Sequence, residues 1–289
     1  MLDCDLPGPA ALSSEPRHAD GRARLQLGFV REGARTLLAR RTHQGPLVVQ
    51  KPLYPEGDGV CQCIVVHPPA GIAGGDHLAL VVDVGAGAHV QLTTPGATKW
   101  YRAAGRRAAQ RIECEVAAGA VLEWLPQGTI VFDGADADSA VRIVLARDAT
   151  YMGWDVVCLG RTASGERFRS GRWRQGTEIV RDDALLWSER IRLDGASPML
   201  DSPAGLNGAP VFGTFVAMSG TFDDALLAAC RRIAPAAGDG TVTRLPGALV
   251  ARYRGDASEA AHVYFAALWA LVRPHLTGRA AVPPRIWRT

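Results

Sequence analysis

Apolar and polar residues alternate along most of this chain. Leu25, Leu27 and Phe29 open the pattern, and Leu78, Leu80 and Val82 repeat it. Ile112, Cys114 and Val116, then Val141, Ile143 and Leu145, continue it. A period of two places successive apolar side chains on one face of a strand. Gly, Pro and Asp clusters separate these runs at short intervals, as strand-connecting turns require. The chain is therefore predicted to be all-β up to about residue 194. Residues 1–20, a mixture of Pro, Ser, Gly and charge, read as a flexible leader. Residues 21–280 read as one domain, and residues 281–289, which include Pro283-Pro284, as a short extended tail.

An internal similarity lies beneath the alternation. The segment from Asp83 to Leu92 is echoed from Glu115 to Trp124, and more weakly from Leu145 to Trp154 and from Ile179 to Ser188. With Ala88, Ala120, Thr150 and Ala184 taken as equivalent, the steps are 32, 30 and 34 residues. Each unit reads as strand, tight turn, strand. A period near thirty residues predicts stacked coils, as in a β-solenoid, each burying its inner face on the next. A plain antiparallel meander with similar turns is equally compatible with these residues.

Two helices interrupt the pattern. Asp223 to Ile233 places Leu226, Leu227, Cys230 and Ile233 on one stripe, and Ser258 to about Leu276 does the same with Ala260, Val263, Tyr264, Ala267, Leu268 and Leu271. Asp256 or Ser258 is expected to cap the second helix, Glu259 to complement its first turn, and Gly278 to stop it. The predicted fold is mainly β and solenoid-like (β-helix-like), with two α-helices toward the C-terminus.

Composition narrows the class. The chain has 289 residues, 47% hydrophobic and 21% charged, too apolar for a disordered polymer and long enough to bury a core. The charge sum is 32 − 29 = +3, which gives no reason to expect a polyanion. Lys51 and Lys99 are the only lysines, so nearly all the basic residues are arginines. Asp3 and Asp5 at the start argue against a signal peptide. The apolar run Val263 to Val272 is about half of what a membrane span needs. Six cysteines, at 4, 61, 63, 114, 158 and 230, do not form a disulfide framework in a chain of this size. A cytoplasmic protein with no membrane partner is expected.

The densest polar and glycine cluster runs from His67 through Pro68-Pro69 and Gly74-Gly75 to Asp76 and His77. A phosphate loop needs Lys followed by Ser or Thr after its last glycine; Asp76 stands there instead and would repel phosphate. No dinucleotide fingerprint is present. His67, Asp76, His77 and His89 are a loose set of imidazole and carboxylate groups, able to bind a divalent ion weakly and release it, but no His-x-His, His-Glu-x-x-His or paired Cys-x-x-Cys spacing organises them. Cys61 and Cys63 share a strand face that is read as core. No nucleophile elbow exists, and Ser219 has no distinguishing context. Glu123, Asp133, Asp136 and Asp138 could supply an acid/base pair of the kind used by sugar-cleaving β-solenoid enzymes, which is the alternative function carried forward. Arg102, Arg106, Arg107 and Arg111 beside Trp100 and Tyr101 suggest nucleic acid in isolation. The nearly neutral balance favours a solvated or protein-contacting face, so no nucleic-acid partner is expected.

Taken as a string, these residues are more specific. Gln50-Lys-Pro-Leu-Tyr-Pro-Glu-Gly57, the His67 to Asp76 segment, and Leu92-Thr-Thr-Pro-Gly-Ala-Thr-Lys-Trp-Tyr-Arg102 follow in order. Then come Trp124-Leu-Pro-Gln127, Thr129-Ile-Val-Phe132, Gly160-Arg161 with Gly165-Glu166, and Pro210-Val-Phe-Gly-Thr214. Over about residues 22 to 275 the chain resembles the urease accessory protein UreD (UreH) family. Three positions depart from the family pattern. Ala70 stands in place of a second glycine, Ala73 in place of a larger aliphatic residue, and Gly128 where a glutamate usually follows Leu-Pro-Gln.

The resemblance implies a non-catalytic scaffold with a mainly-β, helix-decorated, solenoid-like fold. Such a scaffold binds the urease apoprotein and recruits UreF. Through UreF it recruits the GTPase UreG, which delivers nickel. It also implies a water-filled passage for nickel(II), held only transiently and with no tightly bound cofactor. His67, Asp76, His77, Glu123, Asp133 and Glu166 are the candidates for lining it. The Thr93 to Arg102 segment is read as scaffold, with Lys99 and Arg102 pairing with acids or meeting a partner, and the C-terminal helix as a contributor to the UreF contact.

Overall fold

The computed structural model describes residues 21–288; the leader expected over residues 1–20 lies outside them. The alternating segments become strands of two long sheets joined by a short third ladder. The first sheet runs, in spatial order, Ala184–Asp194, Arg172–Arg181, Asp136–Leu145, Ala108–Val116, His77–Val84, Arg22–Glu32 and Arg35–Gln44. The second runs Asp239–Leu245, Ala248–Gly255, Val211–Met218, Thr150–Leu159, Val121–Leu125, His89–Thr93, Val60–Val66 and Val48–Val49. Gly71–Ile72, Thr98–Trp100 and Thr129–Val131 form the third ladder, which joins the far end of Thr150–Leu159.

The path explains the repeat. The chain crosses the first sheet, turns tightly, crosses the second, passes through the short ladder and returns one strand further along. Successive coils pair in parallel: His77–Val84 with Ala108–Val116, then Asp136–Leu145, then Arg172–Arg181. This is a β-solenoid of about 4 turns, and the meander alternative is set aside. Inward positions of both sheets, among them Leu25, Leu80, Val90, Ile112, Leu122 and Ile143, form one continuous apolar interior.

Two details of the repeat are corrected. Val121 pairs with both His89 and Thr150, so the equivalent residues are Ala88, Ala120 and Ala149, all buried, and Thr150 lies one step on. Ala184 is not equivalent to any of them. Asp182 and Asp183 both have positive φ, 48° and 62°. A two-residue turn of that hand folds the strand back as a hairpin, so Ala184–Asp194 lies antiparallel beside Arg172–Arg181 in the same sheet.

Both helices lie against the outer face of the second sheet. Helix α1 spans Asp224–Arg231, and its start is set by Asp223, whose carboxylate accepts from the Leu226 N–H at 2.7 Å. Helix α2 spans Ser258–Thr277. Neither Asp256 nor Ser258 caps it; Ala257 occupies that position without a side-chain bond. Gly278 does end it, in the left-handed conformation. The buried stripe of α2 is Ala260, Ala261, Tyr264, Phe265, Leu268, Trp269, Val272 and Arg273, while Val263, expected inside, is 58% exposed. The aromatic rings decide this rotation: Phe265 and Trp269 each contribute about 1.5–3 kcal/mol when buried, more than Val263 and two alanines can offset. A 3-10 turn at Arg285–Arg288 then seats Trp287 between Trp154 and Trp269, with ring centroids 5.5 and 5.9 Å away. None of the helices among the described residues is long and apolar enough to cross a membrane.

Candidate functional site

Strand Thr150–Leu159 shows how the interior acquires polarity. Its even positions, Met152, Trp154, Val156 and Cys158, face the helices, and its odd positions Tyr151, Val157 and Leu159 face the solenoid interior. Asp155 shares the odd phase and is a carboxylate among inward apolar groups. Gln175 donates to it at 3.2 Å. Glu189, which is buried where Asp155 is half-buried, lies close enough to oppose its ionisation, and accepts from Thr214 at 3.3 Å and from Arg252 at 2.7 Å. Burial, reinforced by the Glu189 charge, pushes the Asp155 carboxyl up to about 6.

Asp155 borders a cavity of about 450 Å³ inside the coils. The walls are apolar at Leu78, Leu80, Ile112 and Trp124, and polar at Gln110, Ser139, Thr98, Thr129, Lys99 and His67. Gln110, Ser139 and Gln175 occupy one row across three adjacent strands. From the cavity, therefore, amide, hydroxyl and carboxylate groups follow one another through Asp155 and Glu189 toward Arg252, whose side chain is about half exposed.

The six residues expected from the resemblance do not form one cluster. His67 lines the cavity; its Nδ1 is buried without a hydrogen-bond partner, and burial, opposed by Asp76, lowers its pKa. Asp76 accepts from the Ala73 and Gly21 N–H groups at 2.8 and 3.2 Å and so holds its own loop. His77 is exposed. Asp133 accepts from the Arg169 N–H, the Ser170 N–H and the Ser170 hydroxyl at 2.9, 2.8 and 3.0 Å. Burial opposes ionisation of Asp133, but those bonds hold its pKa below the usual value. Glu166 is clamped by the Arg161 guanidinium at 3.0 and 2.6 Å, which lowers its pKa, and it accepts from the Asp133 N–H at 3.1 Å. Among the described residues, no group of three or more His, Cys, Asp and Glu side chains is arranged to hold a metal ion.

Glu123 faces the other way, toward α2, with 0% exposure. It lies 2.6 Å from His89 Nε2, accepts from the Trp269 indole at 2.6 Å, and accepts from Arg273 at 3.0–3.1 Å. Arg273 in turn reaches Glu56 at 2.7 and 2.9 Å. Burial alone would raise the Glu123 pKa; the bonds and charges of His89 and Arg273 reverse that and lower it. The network ties α2 to three separate parts of the chain. The Thr93 to Arg102 segment also braces coils: Thr93 donates to the Leu125 carbonyl at 2.7 Å and Thr94 accepts from the Gln127 N–H at 2.9 Å. Arg102 approaches Asp133 at 3.8 Å.

Gly128 borders the same cavity with φ +94°, and a Cβ there would meet the Val156 carbonyl at 3.0 Å and the His262 ring at 3.1 Å. Ala70 adopts φ 63°, a conformation the family's usual glycine takes without strain. Sequence reasoning missed Asp155 and Glu189. The available signal was phase: each is an acid on the inward side of a strand whose other inward residues are mostly apolar.

Comparison with known proteins identifies the family. The family model for UreD urease accessory protein matches residues 21–288. A urease accessory protein UreD of Dechloromonas aromatica is 54% identical over 281 residues, 96% of this chain and 98% of that one. Its counterparts from an Azoarcus species and Pseudomonas aeruginosa are 55% and 53% identical, over 92% and 97% of this chain and 94% and 99% of theirs. The chain belongs to the UreD family of urease accessory proteins.

Proposed function

We propose that this protein is a non-catalytic scaffold in urease maturation that binds the urease apoprotein, recruits UreF and, through it, UreG, and passes nickel(II) along its interior. Family membership supports the maturation role. The observation that carries the nickel route is Asp155 with Glu189 inside the solenoid, next to a cavity with polar walls. Carboxylate, amide and hydroxyl oxygens hold a divalent ion less firmly than thiolates do, which suits a cargo that must leave again. At neutral pH a carboxyl with a pKa near 6 is mostly ionised and free to attract a cation, and the Glu189 carboxylate that opposes its ionisation adds to that attraction. His67, with its unsatisfied nitrogen, is proposed to act at the cavity wall. Asp76, Asp133 and Glu166 are assigned to bracing the loops around the route, and Glu123 to anchoring α2. The outward stripe of α2, apolar at Val263, Ala267 and Ala270, is the proposed UreF contact.

The sugar-cleaving alternative draws less support. Asp136, one of its candidate acids, is held by Arg174 at 2.6 Å and Arg107 at 3.5 Å. The test is reconstitution of urease with its accessory proteins, followed by measurement of nickel per active site. Asp155→Asn combined with Glu189→Gln should reduce nickel loading about tenfold while the complex still co-purifies. Fully loaded urease from that double variant would refute the interior route and leave the scaffold role standing.

A further inference from the structure

The first sheet has a second polar feature, on the face away from the solenoid interior. Register places Arg111 opposite Ala140, Ala140 opposite Gly176, and Gly176 opposite Arg190. One row across four strands therefore reads arginine, alanine, glycine, arginine. The two small residues leave a hollow of about 340 Å³, and a Cβ added at Gly176 would meet nothing within 4 Å. At about 4.8 Å per strand, the Arg111 and Arg190 backbones stand roughly 14 Å apart. Two guanidinium groups can reach inward from opposite sides over that floor.

The neighbouring rows add Arg142, Arg174 and Arg192, against Glu113, Asp138 and Glu178, so the lining charge is 5 − 3 = +2. The existing pairs are local: Glu178 is shared by Arg142 at 3.4 Å and Arg190 at 3.0 Å, and Arg174 bonds Asp136. Arg111 and Arg192 have no ion pair among the described residues. Both helices pack on the other sheet, so neither covers this face.

We propose that this hollow is a docking site for an acidic polypeptide segment of a partner protein, one of whose carboxylates is clamped between Arg111 and Arg190 over Ala140 and Gly176. Arginine forks match carboxylates in a bidentate, planar way. The interleaved Glu113 and Asp138 repel a continuous polyanion, which selects a peptide of spaced acids over nucleic acid. The site lies on the opposite side of the sheet from the interior cavity and stands independently of the nickel route.

The probe is a fluorescein-labelled peptide in which glutamate alternates with serine, titrated with the full chain at physiological ionic strength and read by anisotropy. Arg111→Glu should weaken binding at least tenfold. Gly176→Phe, which fills the hollow without altering charge, should weaken it comparably. Arg285→Glu, the same charge change at an exposed site on the C-terminal turn beside the other sheet, should change it less than twofold, and all three variants should unfold at wild-type temperature. The proposal is overturned by absence of peptide binding, by equal losses at Arg111 and Arg285, by wild-type binding of Gly176→Phe, or by equally effective competition from a DNA oligonucleotide or pyrophosphate.

Discussion

Asp155 makes the protein less stable at neutral pH than its shape requires, and replacing it with asparagine should reveal this. Its carboxyl titrates at about 6 in the folded chain, against 3.8 for an ordinary aspartate. Well below pH 3.8 the group is protonated in both folded and unfolded chains and costs nothing. As the pH rises through 6 the folded chain must ionise a carboxyl beside Glu189, and the penalty reaches its full value above that. The difference corresponds to roughly 3 kcal/mol. Because the carboxylate borders a cavity with polar walls, about 1–3 kcal/mol is the realistic range. Asparagine keeps an oxygen to accept from Gln175 and carries no charge. Asp155→Asn should therefore gain about 1–3 kcal/mol at pH 7.5, a rise in Tm of roughly 2–12 °C for a domain of this size, and only about a fifth of that gain at pH 4. Urea unfolding followed by tryptophan fluorescence at the two pH values measures both quantities. A variant no more stable than wild type at pH 7.5, or equally stabilised at both values, would refute the reasoning. Loss of nickel loading together with a gain in stability would mark the aspartate as retained for function.

Glu123→Gln should destabilise the protein by about 3–5 kcal/mol, because Arg273 is left buried with only Glu56 to offset it. Adding Arg273→Met should restore part of that loss, and a double-mutant cycle in urea checks the coupling. Since the folded pKa of Glu123 is lowered, its stabilising contribution is present above about pH 4.5 and is lost as the pH falls through the folded value. Trp287→Ala removes a ring packed on Trp154 and Trp269 and a hydrogen bond to Thr93 at 2.9 Å. The expected loss is about 1–3 kcal/mol with a weaker near-ultraviolet dichroism signal; an unchanged signal would show that the tail does not dock in solution. Gly128→Ala forces a side chain into φ +94°, so its urea midpoint should fall by an amount equivalent to about 1–3 kcal/mol.

The strands and their thirty-residue repeat were legible because their cause is local, whereas the choice between solenoid and meander rests on pairing between distant strands. Alternation fixes which residues face inward, and glycines such as Gly87 and Gly119, both at positive φ, mark where each coil bends. The hairpin at Asp182 and Asp183 was not legible, because aspartate enters that conformation far less often than glycine or asparagine-glycine turns do. The rotation of α2 was misjudged for a different reason: stripe counting weighs Val263 and Trp269 alike, whereas buried area does not. The site was harder still. Asp133 and Glu166 read as candidate ligands because a carboxylate's type is visible in sequence, while its commitment to the backbone N–H groups of Arg169 and Ser170, or to Arg161, is not. Asp155 carried a readable signal in its strand phase. Its pairing with Glu189, distant in sequence, did not.

A pile of parallel coils has no built-in length, since each exposed rim offers the next coil the same unsatisfied peptide groups that the last one used. Here the four rims of the two long sheets are closed by strands running the opposite way: Arg35–Gln44 and Ala184–Asp194 on one, Val48–Val49 and Asp239–Leu245 on the other. The first of these is studded with Arg35, Arg40, Arg41 and His43, which makes an approaching chain unwelcome. Reversal of direction at the margins thus keeps the molecule a discrete particle and denies it the end-to-end growth into fibrils that its own interior geometry would otherwise permit.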